Sequence, residues 1–155
     1  TTKTEIQYPI IILVNHGTAG EAEILAAALQ AHSRAIIIWT PTYGKGSVQS
    51  VIPLADGSGL RLTAAFYFTP DNKPIHLRGI IPNIFVIPKD DQKLIHNAQA
   101  IVAGEKYPLI LVEETEEDSM LNIAVEIIEN TSSYKWKNLI ETAQKMADGF
   151  VNKEK

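Results

Sequence analysis

Three observations predict an α/β fold for this sequence. Two short apolar runs rich in β-branched residues, "YPIIILVN" and "RAIIIW", flank an alanine- and leucine-rich segment, which reads as strand, helix and strand in succession. From Ser47 to Thr69 strand-like segments follow one another with no helix between them. Helical spacing of apolar residues then returns after Asp91 and persists almost to the end.

Taken in order, Pro9 to Asn15 is a continuous apolar run expected to be a central strand buried on both faces. "GEAEILAAALQAH" has high helix propensity and no internal breaker. Arg34 to Trp39 is a second buried strand, so Pro9 to Trp39 forms a β-α-β unit, with parallel pairing and a right-handed crossover expected. After the loop "TPTYGKG", the strands "SVQSVIPL" and "LRLTAAFYFT" are joined by "ADGSG", where Asp56 and Gly57 mark a hairpin. "PDNK" turns the chain before short strands at Ile75–Leu77 and Ile80–Ile87. Leu94, Ile95, Ala98, Ile101 and Val102 predict a helix over Asp91–Ala103, and "YPLILV" one more buried strand. The acidic stretch "EETEEDS" is expected to cap a helix running through Leu121, Ala124, Val125 and Ile128. Trp136, Leu139, Ile140, Ala143, Met146, Ala147 and Phe150 define a final amphipathic helix. With no repeat, low-complexity tract or linker, residues 1–155 read as a single domain.

Composition narrows the classes of function. A chain of 155 residues that is 45% hydrophobic and 21% charged is that of a globular domain. A formal net charge of -4 offers no general electrostatic reason to bind nucleic acid or an anionic membrane. The absence of cysteine removes disulfides, thiolate nucleophiles and cysteine metal ligands together. The run Tyr8–Val14 falls far short of the ~20 apolar residues that span a bilayer. The polar start "TTKTEIQ" lacks the features of a signal peptide and reads as a cut from a longer protein.

Two segments carry polar residues at places where chemistry is done. Thr18 and Glu21 fit a capping box, in which the hydroxyl and the carboxylate satisfy each other's backbone amides. A helix entry of this kind is also where free amides stabilise an oxyanion and where hydrolases place a nucleophile. In "TPTYGKGSVQS", Gly44 and Gly46 let the backbone on either side of Lys45 approach another segment closely. Lys45 reads either as an exposed loop lysine or, if held in an apolar site, as a general base that Gln49 could orient. "GKGS" lacks the first glycine and the spacing of a phosphate loop. His16 and Glu21 are too few for a metal site, and His32, His76 and His96 receive no role, so neither metal nor cofactor is expected.

The run from Thr42 to Ile84, "TYGKGSVQSVIPLADGSGLRLTAAFYFTPDNKPIHLRGIIPNI", strongly resembles the carboxyl-terminal processing peptidases, or tail-specific proteases, of peptidase family S41. The family pattern there is T-[FY]-G-K-G-x-V-Q, then D-G-[ST]-x-L-x-L-T-x-A-x-Y-x-T-P-x-G-x-x-I, then G-I-x-P-D. Upstream, "ILVNHGTAGEAEI" resembles the family's V-L-V-N-x-x-S-A-S-A-S-E-I, and "DSMLNIAVEII" resembles a later family helix. The resemblance implies the C-terminal part of a crotonase- and ClpP-like protease core. It also implies a serine-lysine dyad, in which Lys45 matches the general base and Gln49 the residue that orients it. The nucleophilic serine falls on Gly20, twenty-five positions before Lys45. Ala19, Glu21 and Gly44 fall near the oxyanion and substrate.

Several departures from the pattern accompany Gly20. Thr18 and Ala22 fall on the first and third serines; Thr18 stands two residues from the nucleophile position and is expected to point elsewhere. Asn83 replaces the aspartate of G-I-x-P-D, the segment Pro88–Glu117 reads as an insertion, and the family's PDZ domain and first protease segment find no match in this chain. The resemblance thus implies a peptidase domain with impaired catalysis that binds unfolded or tagged protein C-termini, outside the cytoplasm, with a homo-oligomer allowed. The alternatives are an active peptidase with another nucleophile, and a crotonase-like hydrolase or lyase using Lys45 and Glu21.

Overall fold

The computed structural model describes residues 8–102, 107–112 and 119–152. The elements follow in the order β1 (Ile11–Val14), α1 (Glu21–Ala31), β2 (Ile36–Trp39), β3 (Ser47–Pro53), β4 (Gly59–Phe66), β5 (Ile84–Pro88), α2 (Gln92–Val102), β6 (Leu109–Val112), α3 (Ser119–Asn130) and α4 (Trp136–Asn152). Strands β1, β2, β5 and β6 form one sheet in that spatial order, every pair parallel. Strands β3 and β4 form a separate antiparallel hairpin.

Strand periodicity sorts the core into layers. Ile36, Ile38, Ile84, Val86 and Ile110 pack on one face of the parallel sheet against Ile123 and Ile127 of α3 and Leu139 and Ala143 of α4. The alternate residues face the other way: Ile37 meets Ala26 and Ala27 of α1, while Phe85 and Ile87 meet Ile95 and Ala98 of α2. Helices therefore cover both faces, which is why the inner strands read as unbroken apolar runs. The expected α/β class, the β-α-β unit, the Asp56–Gly57 hairpin and the late helices are all present.

Two expectations are corrected. Among the described residues β1 lies at the edge of the sheet rather than in its centre, with Leu13 37% exposed. Ile11 and Ile12 do pack toward opposite faces, so the apolar run reported that its faces are covered, which says nothing of neighbours on either side. Ile75–Leu77 forms a turn instead of a strand, and β5 begins only at Ile84. The physical reason is the backbone at Leu77 and Gly79, where φ is 60 and 70, which no strand accommodates. The segment Pro88–Glu117 holds the expected helix and strand, α2 and β6, which extend the parallel sheet and its helical cover. Most of the acidic stretch "EETEEDS", along with Ala103 and "TTKTEIQ", lies outside the described residues.

Candidate active site

β1 ends at Val14 and the chain turns tightly before α1. The Thr18 amide donates to the Asn15 carbonyl at 2.9 Å, and the Asn15 amide donates to the Thr18 hydroxyl at 3.2 Å. Thr18 is thus consumed by the turn, and the expected Thr18–Glu21 capping box is corrected. The helix begins two residues later, with Gly20 as N-cap and Glu23 as the residue that reaches back, its Oε2 accepting from the Gly20 amide at 2.9 Å. Glu21 is exposed.

Gly20 has φ 63 and ψ -122, a conformation that side-chain-bearing residues adopt only under strain. Sharp strand-to-helix turns of this strained kind present a nucleophile in hydrolases. A β-carbon built on Gly20 meets only one atom outside its own chain neighbours, Lys45 Cδ at 3.9 Å. The backbone at position 20 therefore aims toward the lysine, and the glycine leaves that space open.

Lys45 is brought there by the loop that leaves β2. Trp39, at φ 109, turns the chain off the sheet, and the following segment runs back past α1. The two glycines are needed for contact with the 75–79 turn. A β-carbon on Gly44 would lie 2.9 Å from the Gly79 amide nitrogen, and one on Gly46 would overlap the His76 backbone. The close approach expected of this loop is therefore realised against a specific partner.

Glu23 locks the two halves together, and reading the sequence had given it no role. Its side chain is fully buried, yet it meets no cation among the described residues. Instead it accepts from the Gly20, Gly44 and Lys45 amides, at 2.9, 2.7 and 2.8 Å, and from the Thr42 hydroxyl. Thr42 in turn accepts from the Ile80 amide at 2.7 Å, which orients its hydroxyl hydrogen toward Glu23. One carboxylate thus ties the helix entry to the lysine loop, and through Thr42 to the start of the segment leading into β5. Its signal in the sequence is the E of S-A-S-A-S-E-I, which falls on Glu23, three residues after Gly20.

Gly20, Glu21, Lys45, Ser47, Gln49, Arg61 and Tyr67 line a cavity of about 360 Å³. Ser47, Val48 and Gln49 follow one another along this wall, where the β3–β4 register shifts between Val48 and Gln49. Lys45 is exposed rather than enclosed in apolar surroundings, and no hydrogen bond joins it to Gln49. Gly44 is buried, its amide already held by Glu23, whereas Glu21 occupies the first turn of α1, where amides have no intrahelical acceptor. Ala19 is half-buried in the turn before α1. Among the described residues no cluster of three His, Cys, Asp or Glu side chains gathers to hold a metal.

Asn83 stands where the family pattern has aspartate, and its role is that of an acceptor. Its Oδ1 receives the Ile37 amide at 2.9 Å and the Gln30 side-chain amide at 3.1 Å, stitching α1 and β2 to the entry of β5. An amide oxygen serves both donors as well as a carboxylate does.

Residues 1–86 match the model of peptidase family S41, more than half of the 155 residues. The chain is 54% identical over 78 residues to a carboxy-terminal-processing protease of Bartonella bacilliformis, covering 50% of this chain and 18% of that protein. It is 45% identical over 91 residues to a carboxyl-terminal-processing protease of Synechocystis sp., covering 59% and 20% respectively. Among solved structures, the photosystem II D1 C-terminal processing protease is 43% identical, with a TM-score of 0.49 over 50% of this chain and 20% of that one. The chain spans about a fifth of the length of the curated relatives it matches. The match ends before α2, short of the Asp118–Ile128 segment.

Proposed function

The chain belongs to peptidase family S41, and from that premise we propose that it forms a carboxyl-terminal processing peptidase site that holds polypeptide without cutting it. The observation that carries this reading is the pairing of Gly20 with Lys45. The helix entry keeps a strained conformation aimed at the lysine, yet offers no hydroxyl to attack a carbonyl. In a serine-lysine mechanism the serine oxygen bonds to the scissile carbonyl carbon while a neutral lysine removes its proton and later passes it to the leaving amine. With glycine at position 20 the first bond has no atom to form from.

Loss of a nucleophile costs on the order of a million-fold in turnover and leaves ~10³ to 10⁴ over water. That remnant is too slow for processing, whereas Lys45, Gln49 and the cavity they line remain to meet a peptide. Lys45 is the base of the ancestral reaction in this reading and Gln49 its support, with Ala19, Glu21 and Gly44 beside the bound carbonyl. The ligands are unfolded or tagged protein C-termini, met outside the cytoplasm as the family resemblance implies. No helix of the described residues is long and apolar enough to cross a membrane.

A second reading has one observation in its favour: Ser47 and Tyr67, two hydroxyl-bearing residues, line the same cavity as Lys45. One experiment separates the two. The full-length protein is mixed with a labelled unstructured peptide, and both binding and cleavage are followed. Binding without cleavage supports the proposal; cleavage that Ser47→Ala or Tyr67→Phe abolishes establishes the second reading in its place.

A further inference from the structure

The cavity beside Gly20 carries charge that its own residues leave uncompensated. Lys45 and Arg61 bring two cations to its walls and Glu21 one carboxylate, all three exposed. Among the described residues none of these three side chains forms an ion pair or a hydrogen bond. Arg61 comes to the cavity through the hairpin. It stands opposite Val51, and Gln49 stands opposite Thr63, so these four share one face of the ribbon, a face without an acid. The helix side contributes Glu21 and the emptied position 20, where a β-carbon would meet only Lys45 Cδ, at 3.9 Å, outside its chain neighbours.

Hydrogen-bonding capacity is unbalanced in the same direction. Lys45, Arg61, Ser47, Gln49 and Tyr67 can all donate, whereas Glu21 is the lone carboxylate on the walls. An internal peptide bond offers such a wall one carbonyl oxygen and no charge. The end of a chain offers two oxygens and a negative charge, and a charged acceptor makes the stronger hydrogen bonds, above all with a guanidinium.

We propose that this cavity takes the terminal carboxylate of a polypeptide, seated against Lys45 and Arg61 beside the space that Gly20 leaves open, and that Arg61 selects a free chain end over an internal peptide bond. This rests on the peptide-holding reading above and names the chemical group that is held. Glu21 opposes it: its charge lowers affinity for the carboxylate while leaving that for a neutral peptide end unaffected. The two cations outnumber it, so a carboxylate is favoured on balance.

The test uses the full-length protein and one unstructured peptide, labelled at its N-terminus, in two forms that differ only at the last residue: a free carboxylate and a carboxamide. Arg61→Gln and Glu21→Gln are the variants, both at exposed sites. The natural protein should bind the carboxylate form roughly five- to twentyfold more tightly than the amide. Arg61→Gln should lose most of that preference while holding the amide form as before, which also shows that the variant is folded. Glu21→Gln should act in the opposite direction and bind the carboxylate form roughly two- to fivefold more tightly, a gain that damage to the fold would not produce. If the natural protein binds the two forms equally, or if the preference survives unchanged in both variants, the carboxylate is not read here, and the peptide-holding function stands without it. If neither form binds the natural protein, both proposals fall.

Discussion

At Gly20, glycine satisfies the backbone and empties the site at once. Replacing it by serine imposes a side chain on φ 63, which should lower stability by about 1–3 kcal/mol, readable in a denaturant titration. Glu23 is the more sensitive residue for folding. Glu23→Gln swaps one acceptor for a donor group amid three backbone amides and a hydroxyl already oriented toward it, and should cost about 2–4 kcal/mol. Because those bonds set the position of Lys45, the same variant should weaken peptide binding at temperatures where it remains folded. Asn83→Asp, by contrast, retains the oxygen that Ile37 and Gln30 use and should leave the melting temperature within a few degrees; a large drop would mean that the amide group itself matters.

At the scale of elements, the hairpin and the parallel sheet differ in support. β3 and β4 are exposed along almost their whole length, with Val51 69% exposed on one face and Ile52, Leu60 and Leu62 uncovered on the other. A two-stranded ribbon is marginal alone, so amides of β3 and β4 in this 155-residue chain should exchange with solvent orders of magnitude faster than those of β2 and β5. The hairpin turn is locally well made. Lys73 and Thr69 hold the Asp71 carboxyl down to about 2 in the adjoining turn, and Ser58 lowers that of Asp56. A depressed carboxyl contributes stability above its unfolded value, and this is lost as pH falls through the folded one. For an exposed turn the effect should be small and confined to acid below about pH 4.

These elements also show what the sequence could disclose. Apolar runs located β2, β5 and β6, helix propensity located α1, and helical spacing located α2, α3 and α4; in α3 the buried face is Met120, Ile123, Ala124 and Ile127, whereas Leu121 and Val125 of the expected face are exposed. Such signals did not disclose that β1 lies at the edge of the described sheet, because edge or centre depends on which strand lies alongside. The turn at Ile75–Leu77 was hidden because a leucine at positive φ carries no turn signal. At the site, Gly44, Lys45 and Gly46 were legible as a loop of close approach. Glu23 was not, since its partners lie about twenty residues away in sequence and come together only through the β-α-β fold.

For the whole molecule, the parallel sheet, with helices on both faces, supplies the base, and the loop between β2 and β3 carries Lys45 on its rim. Ile127, fully buried between the sheet and α4, marks how far the residues beyond the family match are part of that base; Ile127→Ala should cost about 2–5 kcal/mol in a cooperative unfolding transition. If it costs far less, α3 and α4 are not integral to the fold. The central claim concerns what the base now holds up: a processing site without its nucleophile. The direct measurement is cleavage of an unstructured peptide with an apolar C-terminus by the full-length protein, natural and Gly20→Ser. The account predicts no turnover by the natural form and turnover by the serine variant that Lys45→Ala removes. Equal cleavage by both forms, or none from the serine variant although it is folded and binds peptide, would contradict it.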